Sequence, residues 1–560
     1  MTRSTPIAQA PAARRFLPGL SARNVVRELL AGVTLLALSV PLNIGYAQIA
    51  GLPPTAGLVA LILPAITFAV LTSSRQLVVA PDAAAAALVA SSLAGTAAAG
   101  SGNYMVMAAA QAIVCGVILL VAAVFKLGFI ADFLSKPILI GFVGGLAFDV
   151  TLSQAGKMLG LSVPHGDEFV HRLVGLIAQL GDTHVWSLVL SVASLAVIVC
   201  GRMLSRRVPW ALIVMVAATV VSVLWNFSSL GVAVLGTVPG GFPTLSVPML
   251  ELGEWLTLLP SALALAAVAM AEGLMLARSY AEKNDYPQHP NRDLAALGLA
   301  NVAAGVSGSF SVGSSTSRTA AMDDAGSRTQ LPSLVLAVGA LLLLLFGTAL
   351  LAPIPQPVIG AVVIVAVSRL IGIGEFRHLW RRSRAEFSIA AICFAGVLVL
   401  GPVQGLLLAF VLTLVDLTQR ASRARLVVLS HAAGPGESLL DATEEGETAP
   451  GIVVLRFTGP VFFANATAIS GQIRALPDNA SQPLRAAVFD VGALTDLDTR
   501  GSERLEAALK SLGERGVELA VTRLHPAARE LLNRADLTHY FREFPTNREA
   551  VATLQETHSD

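Results

Sequence analysis

The chain has 560 residues, 54% of them hydrophobic and 13% charged, with a mean hydropathy of +0.70 and a formal net charge of +1. A water-soluble protein carries roughly 25% charged residues, so an ordinary globular protein is excluded. The near-neutral balance also argues against a nucleic-acid partner, which requires a basic stripe.

The first stretch is polar, with Arg14, Arg15, Arg23 and Arg27. The first apolar run has no signal-peptide cleavage site after it and reads as a true first span. From Glu28 to Leu417 apolar runs recur, many near the roughly 20 residues that cross a bilayer. They fall near 29–50, 56–72, 81–95, 104–125, 132–155, 185–201, 208–226, 257–279, 293–308, 313–323, 331–351, 355–371, 385–400 and 403–418. Several are short, so a sliding window reports fewer.

Basic residues collect on the cytoplasmic side of spanning segments. With the N-terminus inside, the even-numbered loops are the inner ones. They hold Arg75, Lys126, the Arg202/Arg206/Arg207 group, Arg278 with Lys283, Arg328, and the Arg377/Arg381/Arg382/Arg384 group. The outer loops carry Asp167, Glu168, Asp182, Glu251 and Glu254, with Arg172 the exception. An even count leaves the C-terminal part inside, beside Arg420, Arg423 and Arg425. Cys115, Cys200 and Cys393 all sit in apolar runs and read as small buried hydrophobes.

Membrane transporters are often inverted repeats whose site lies where short or interrupted segments occupy matching places in the two halves. Here segments one to seven and eight to fourteen form two halves. The third segment begins Val79-Ala80-Pro81-Asp82-Ala83-Ala84, and the tenth reads Ser311-Val312-Gly313-Ser314-Ser315-Thr316-Ser317-Arg318. Each is the third of its half and is too short to cross the bilayer as a helix. A half-helix starting at mid-membrane turns its free N–H groups and positive dipole end inward. Two such ends facing each other bind an anion without a lysine. Ala83, Ala84, Gly313 and Ser314 let the backbone come close, while Thr316 and Ser317 add hydroxyl donors.

Arg318 sharpens this expectation, because an intramembrane guanidinium is rare and offers a fork of donors to an oxyanion or carboxylate. The competing reading is an arginine near a helix end that snorkels to the surface. Glu272 lies mid-segment, where a bare carboxylate is costly. Set between burial and the charge of Arg318, it either exchanges a coupling proton or serves as a structural partner for Arg318. Asp82 beside Pro81 reads as an ordinary helix cap. Asp149 reads as intramembrane and Asp132 as a helix start. Pro41 and Asn43 interrupt the first apolar run and expose backbone to the cavity, with Tyr46 and Gln48 adding hydrogen bonds; plain interhelical packing is the alternative.

The stretches Pro41-Leu42-Asn43-Ile44-Gly45-Tyr46-Ala47 and Ala50-Gly51-Leu52-Pro53-Pro54-Thr55-Ala56-Gly57-Leu58 resemble the signature of the sulfate permease family, relatives of the animal multifunctional anion exchangers and plant sulfate transporters. So do Ser73-Ser74-Arg75-Gln76-Leu77, Pro81-Asp82-Ala83-Ala84, Gly308-Ser309-Phe310-Ser311-Val312, Ser315-Thr316-Ser317-Arg318-Thr319-Ala320 and Gly326-Ser327-Arg328-Thr329-Gln330-Leu331. The resemblance implies an α-helical integral membrane protein of fourteen segments in a 7+7 inverted repeat, in which a core moves against a gate in an elevator-like way. It implies residence in a bacterial cytoplasmic membrane, a homodimer, and an anion held between the third and tenth segments. Ser317 and Arg318 match the substrate-facing pair, and Glu272 matches an acidic position that couples protons, or sodium where it is aspartate. Many members carry glutamine after the first-segment proline; here it is Leu42, which removes a donor to substrate.

Residues 1–28 are expected to be a cytoplasmic N-terminal segment, 29–425 the transmembrane domain, and 426–451 a linker or variable loop, since it holds Gly434-Pro435-Gly436 and Glu444-Glu445-Gly446-Glu447. Over 452–555 short apolar strands alternate with amphipathic helices, which predicts a small α/β domain. Strands are expected at Ile452–Phe457, Val461–Phe463, Ala486–Phe489 and Val517–Val521. Helices are expected near Ala468–Leu476, Ser502–Arg515 and Ala527–Arg534. With Gly459-Pro460-Val461-Phe462-Phe463-Ala464-Asn465-Ala466 this domain resembles the STAS domain, related to anti-sigma-factor antagonists, where a phosphorylated serine starts the helix after the third strand. Thr499 stands at that place as a candidate regulatory residue, with a helix cap as the plain alternative.

The sequence thus points to a secondary transporter of small anions: proton-coupled symport of sulfate, or sodium-coupled bicarbonate or proton-coupled dicarboxylate uptake. An anion channel, or a sensor whose STAS domain reports to a regulatory protein, are the readings from other classes. No cofactor or metal is expected beyond the coupling ion, and no nucleotide-binding loop, metal cluster or nucleophile–base set points to an enzyme.

Overall fold

In the computed structural model the described residues are 17–557, apart from 18, 23, 95–98, 129–135, 162–168, 206–207, 369, 423–425, 432–438, 442–447 and 481. Asp132, Asp167 and Glu168 therefore lie outside the described residues, as do Arg14, Arg15, Arg23, Arg206, Arg207, Arg423 and Arg425. The chain divides into two compact units, Met1–Thr413 and Leu414–Asp560.

The first unit begins with α1 (Val25–Ile49), α2 (Pro54–Val59), α3 (Leu63–Leu71), the two-residue strand β1 (Val79–Ala80) and the short α4 (Ala83–Leu93). Then come α5 (Gly102–Val124), α6 (Lys136–Leu159), α7 (Phe169–Ala178), α8 (Val185–Leu204) and α9 (Trp210–Leu224). The second half holds α10 (Leu252–Thr257), α11 (Leu259–Lys283), α12 (Pro290–Val306), β2 (Gly313–Ser314) and α13 (Thr316–Asp324). It ends with α14 (Leu331–Phe346), α15 (Gln356–Val367), α16 (Ile373–Arg382), α17 (Arg384–Leu400) and α18 (Pro402–Ser422).

Each expected segment has its helix, and among the described residues six helical stretches are long and apolar enough to cross a membrane. Val189 and Val192 on α8, Val216 and Val220 on α9, and Leu342 and Phe346 on α14 are exposed. Apolar side chains turned outward on that scale suit lipid, not water. Cys200 belongs to this outer face, which corrects its reading as buried; Cys115 and Cys393 are buried. The short amphipathic helices α7, α10 and α16 fall in connections that hydropathy alone leaves as loops. Arg172, the basic residue out of place among the outer loops, sits on α7 and pairs with Asp149 of α6.

Packing repeats between the halves. α11 packs on α5 as α1 packs on α14, and α12 lies on α5 as α3 lies on α14. That exchange of partners is what an inverted repeat produces. A second group forms around α6, which carries both α15 and α17, while α15 packs on α8 and α8 on α9. Small residues set the closest approach: a Cβ on Gly116 would stand 2.5 Å from the Gly298 carbonyl oxygen, and one on Gly298 2.8 Å from that of Gly116. Close α5–α12 contact therefore needs glycine on both sides. A Gly116→Leu protein is expected to lose about 2 kcal/mol or more by overpacking, read as a lower melting temperature of purified protein in detergent.

The second unit is a six-stranded sheet in the order β4-β3-β5-β6-β7-β8. Its strands are β3 (Leu426–His431), β4 (Leu439–Asp441), β5 (Ile452–Phe457), β6 (Ala486–Asp490), β7 (Glu518–Thr522) and β8 (Arg542–Phe544). β5 to β8 run parallel, while β3 is antiparallel to β4 and β5. Its helices are α19 (Ala466–Asn479), α20 (Thr499–Glu514), α21 (Pro526–Arg534) and α22 (Asn547–Thr557). Alternation along the strands builds a core on each face. Val453, Leu455, Ala487 and Phe489 pack with Ile469, Leu505 and Leu532, whereas Val454, Ala486 and Val488 pack with Val551 and Leu554.

The α/β expectation holds with corrections. Within 426–451, read as a linker, β3 and β4 join the sheet, because Leu426–Leu429 pair with the edge of β5. Val461–Phe463 is not a strand: Val461 alone bridges Leu497. β8 and α22 were not foreseen; both are short and mostly polar.

Asp490, at the end of β6, accepts from Arg523 Nε at 2.7 Å, Asn547 Nδ2 at 3.0 Å, the Gly492 amide at 3.1 Å and Arg456 Nε at 3.2 Å. Burial alone would raise its carboxyl, but these bonds outweigh burial and hold it below the ordinary carboxylate range. A carboxylate held low stabilises the fold at neutral pH and loses that contribution as pH falls through its folded-state value. The thermal transition of the second unit is expected to be flat above about pH 5 and to fall below about pH 4. Asp490→Asn should remove that acid dependence and cost about 2 kcal/mol near neutral pH, the arginines being partly exposed.

Candidate functional site

The two interrupted segments meet. β1 and β2 pair antiparallel, Val79 opposite Ser314 and Ala80 opposite Gly313. The Ser315 amide donates to the Val78 carbonyl at 3.0 Å, and the Val78 amide donates to Thr319 Oγ1 at 3.1 Å. Past this crossing each chain turns into a half-helix: α4 spans 11 residues and α13 spans 9. At 1.5 Å per residue they are about 16 and 14 Å long, about half the bilayer core.

Several anchors hold the pair. Asn301 of α12 accepts from Ser311 Oγ at 2.7 Å and the Val312 amide at 3.0 Å, and donates to the Val312 carbonyl at 2.9 Å. Gln330 Nε2 donates to the carbonyls of Ser74 and Leu77 at 3.0 and 2.9 Å, and Gln76 Nε2 to that of Ser327 at 3.4 Å. The buried Glu28 carboxylate takes bonds from Ser327 Oγ, the Arg328 amide and Thr329 Oγ1. The hydrophilic motifs around 73–77 and 326–331 thus tie the two half-helices to each other and to α1.

The helix ends differ. Asp82 caps α4, its Oδ1 accepting from the Ala85 amide at 2.7 Å. Ser315 precedes α13 without a side-chain cap bond, which leaves the first amides of that helix open to a ligand. Thr316 and Ser317 are exposed there, at the level where the half-helix begins, whereas Ala83 and Ala84 are buried.

Arg318 is 1% exposed, which overturns the snorkelling reading. Its Nη1 donates to the Pro81 carbonyl at 3.0 Å and its Nη2 to Asn43 Oδ1 at 3.1 Å. Its guanidinium carbon lies 5.8 Å from the centre of the Tyr46 ring, within cation–π range. Asn43 and Tyr46 are both buried. The structure thus brings Asn43, Tyr46, Thr316, Ser317 and Arg318 to one place, beside the start of α4 with Ala83 and Ala84. Arg318 Nε, Asn43 Nδ2 and Ser314 Oγ are buried without a hydrogen-bond partner among the described residues. Orphaned polar atoms of this kind call for a ligand or water.

The expected electrostatic link between Glu272 and Arg318 is corrected. Glu272, half-buried on α11, makes no hydrogen bond or ion pair among the described residues. The charge acting on it is that of Asp82, which also acts on Arg318. Asp82 therefore stands electrostatically between the two, a position that its reading as a cap missed. A small cavity beside it is lined by Ala85 and Leu88, by Leu265, Val268 and Ala269 of α11, and by Ser311, Val312 and Gly313. A Cβ at position 313 would come within 2.2 Å of Asp82 Oδ2. Gly313→Ala is therefore expected to push the carboxylate off the cap at an overpacking cost of about 1–3 kcal/mol, and to lower anion uptake in vesicles at unchanged protein level.

The other candidates are placed as follows. α1 continues through Pro41, which has no N–H to give the Ala37 carbonyl, so the helix is not broken there but one backbone acceptor is left without its helical donor. Leu42 is buried. Gln48 turns away from the site and accepts from Lys157 Nζ of α6 at 2.9 Å. In the second unit, Thr499 is exposed at the first position of α20, and the cap is Asp498, which accepts from the Gly501 amide at 2.6 Å.

Comparison with known proteins agrees with this architecture. The sulfate permease family profile matches residues 26–393, and the STAS domain profile matches 445–550. A probable sulfate transporter of Mycobacterium tuberculosis is 34% identical over 540 residues, covering 95% of each chain. The low affinity sulfate transporter 3 of Stylosanthes hamata is 30% identical over 533 residues, covering 90% of this chain and 83% of its own. Among solved structures, the murine solute carrier 26 family member A9 anion transporter in the inward-facing state superposes with a TM-score of 0.86 at 20% identity, covering 96% of this chain and 92% of that one. The transmembrane domain of a cyanobacterium bicarbonate transporter, BicA, superposes with a TM-score of 0.61 at 22% identity, covering 70% of this chain and all of that one. The chain is a multi-spanning membrane protein that belongs to the sulfate permease family and carries a C-terminal STAS domain.

Proposed function

We propose that the protein is a proton-coupled symporter of sulfate or a similar oxyanion, with Arg318 and the start of α13 binding the anion and Glu272 carrying the coupling proton. Family membership already makes it an anion transporter. The observation that carries the finer reading is the buried Arg318, whose Nε has no partner among the described residues, with Asn43 Nδ2 and Ser314 Oγ likewise unpaired. A tetrahedral oxyanion supplies acceptors for all three and for the free amides of α13. The names of the relatives favour sulfate. The unpartnered carboxylate of Glu272 favours symport over a channel, since a bare intramembrane carboxylate is rarely kept without a task.

In the elevator-like reading, α4 and α13 travel with the group around α5 and α14 against the group around α6. The protein sits in the bacterial cytoplasmic membrane as a homodimer with both termini cytoplasmic, and its STAS domain docks a regulatory protein, with Thr499 as a candidate regulatory residue. Reconstitution in liposomes with radiolabelled sulfate, bicarbonate and fumarate, under imposed proton or sodium gradients, tests the transport reading. Sulfate accumulation driven by the proton gradient is the expected result. Uptake indifferent to both gradients rules out symport, and bicarbonate accumulation driven by sodium replaces the sulfate reading.

A further inference from the structure

α6 carries a second polar face inside the first unit. Gln154 and Lys157 stand three residues apart and so on one side of the helix. Gly360 of α15 lies against that side: a Cβ there would be 3.2 Å from the Gln154 carbonyl oxygen and 3.6 Å from Lys157 Cβ. The Gln154 side chain is fully buried, and neither its nitrogen nor its oxygen has a hydrogen-bond partner among the described residues. Lys157 uses one donor, to Gln48 Oε1, and no ion pair is recorded for it among the described residues. An ammonium has three donors, so two have no acceptor among the described residues, where the only group bonded to this half-buried cation is a neutral amide. Gln48 lies five residues beyond Asn43 on α1, about 7.5 Å further along the axis.

We propose that Lys157 and Gln154 form a second anion position, one step from Arg318 toward the C-terminal end of α1. The Lys157 ammonium supplies the charge, the Gln154 amide donates to an anion oxygen, and Gln48 holds the lysine when the position is empty. The inference rests on the anion-transport reading of the Arg318 site and takes the same small oxyanion. With the N-terminus inside, it is the outer position, met before the transport site during uptake.

Two measurements test it. In proteoliposomes, Lys157→Met should raise the KM for sulfate offered from the outer side by about tenfold, the effect of losing one charge-assisted contact. The inner-side KM should not change, and Lys157→Arg should restore most of the loss. An unchanged outer KM, or an equal rise on both sides, overturns the proposal. Gln48→Leu breaks the same interhelical bond, keeps the ammonium and removes the group that competes with the anion for it, so its outer KM should fall or stay below that of Lys157→Met; a rise equal to that of Lys157→Met assigns the effect to the bond and overturns the position. Independently of transport, sulfate should stabilise detergent-purified protein against heat. Arg318→Ala should keep a residual stabilisation that the Arg318→Ala/Lys157→Met double variant loses; no residual overturns the second position. Full stabilisation in Arg318→Ala that disappears in Lys157→Met overturns the Arg318 reading instead and supports this one.

Discussion

Arg318→Ala is expected to weaken sulfate binding by about 10²–10³-fold and to reduce uptake at low substrate to background. A guanidinium has five N–H donors, and Arg318 spends two of them on Pro81 and Asn43. The remaining donors and the full charge are held ready in a site shielded from water. Losing charge-assisted hydrogen bonds worth about 1.5–3 kcal/mol each, at 1.4 kcal/mol per decade, gives that range. The substitution also strips Asn43 Oδ1 and the Pro81 carbonyl of a donor, so α1 and the start of α4 lose a tie to α13. Arg318→Lys separates the effects: it keeps the charge but not the fork, and should recover only part of the affinity. Equilibrium binding of radiolabelled sulfate to purified protein measures both variants. Affinity unchanged in Arg318→Ala would falsify the placement of the site.

The two half-helices were legible because their cause is local. Pro81 and Asp82 begin a helix, Gly313 to Ser315 break one, and each segment is too short for the bilayer. The burial of Arg318 was not legible, since a snorkelling arginine and a buried one have the same neighbours in sequence. Only the crossing of β1 and β2, between residues 235 positions apart, for example Val79 and Ser314, sets the Pro81 carbonyl and Asn43 against it. For the same reason the polar motifs around Gln76 and Gln330 were visible as motifs but silent as to role, because each bonds the other half of the molecule. Asp82 was underread. Its cap follows from its place before α4, but that its charge acts on both Arg318 and Glu272 depends on how α11 packs against α4. The edge strands β4 and β8 escaped because each is only three residues long, and β3 because the turn residues of 426–451 mask the strand that begins it.

Glu272→Gln is expected to abolish proton-driven sulfate accumulation while leaving sulfate–sulfate exchange intact. Glu272 makes no hydrogen bond or ion pair among the described residues, and besides its burial the like charge of Asp82 acts on it. A bare carboxylate inside a membrane is costly and is rarely kept without a task. Asp82 is tied into the cap of α4, so Glu272 is the proposed carrier of the exchangeable proton. In the proposed coupling, an anion arriving at Arg318 adds negative charge to the same region and draws the proton on, and its departure lets the proton go, so that the two are linked through charge without touching. Glutamine mimics the protonated form permanently, so the site still fills and exchanges, but the proton gradient no longer does work on the anion. Accumulation under an inward proton gradient should therefore drop to the level set by equilibration, with the exchange rate within a few-fold of wild type. If accumulation persists in Glu272→Gln, the proton is carried elsewhere, and Asp82 is the carboxylate that remains.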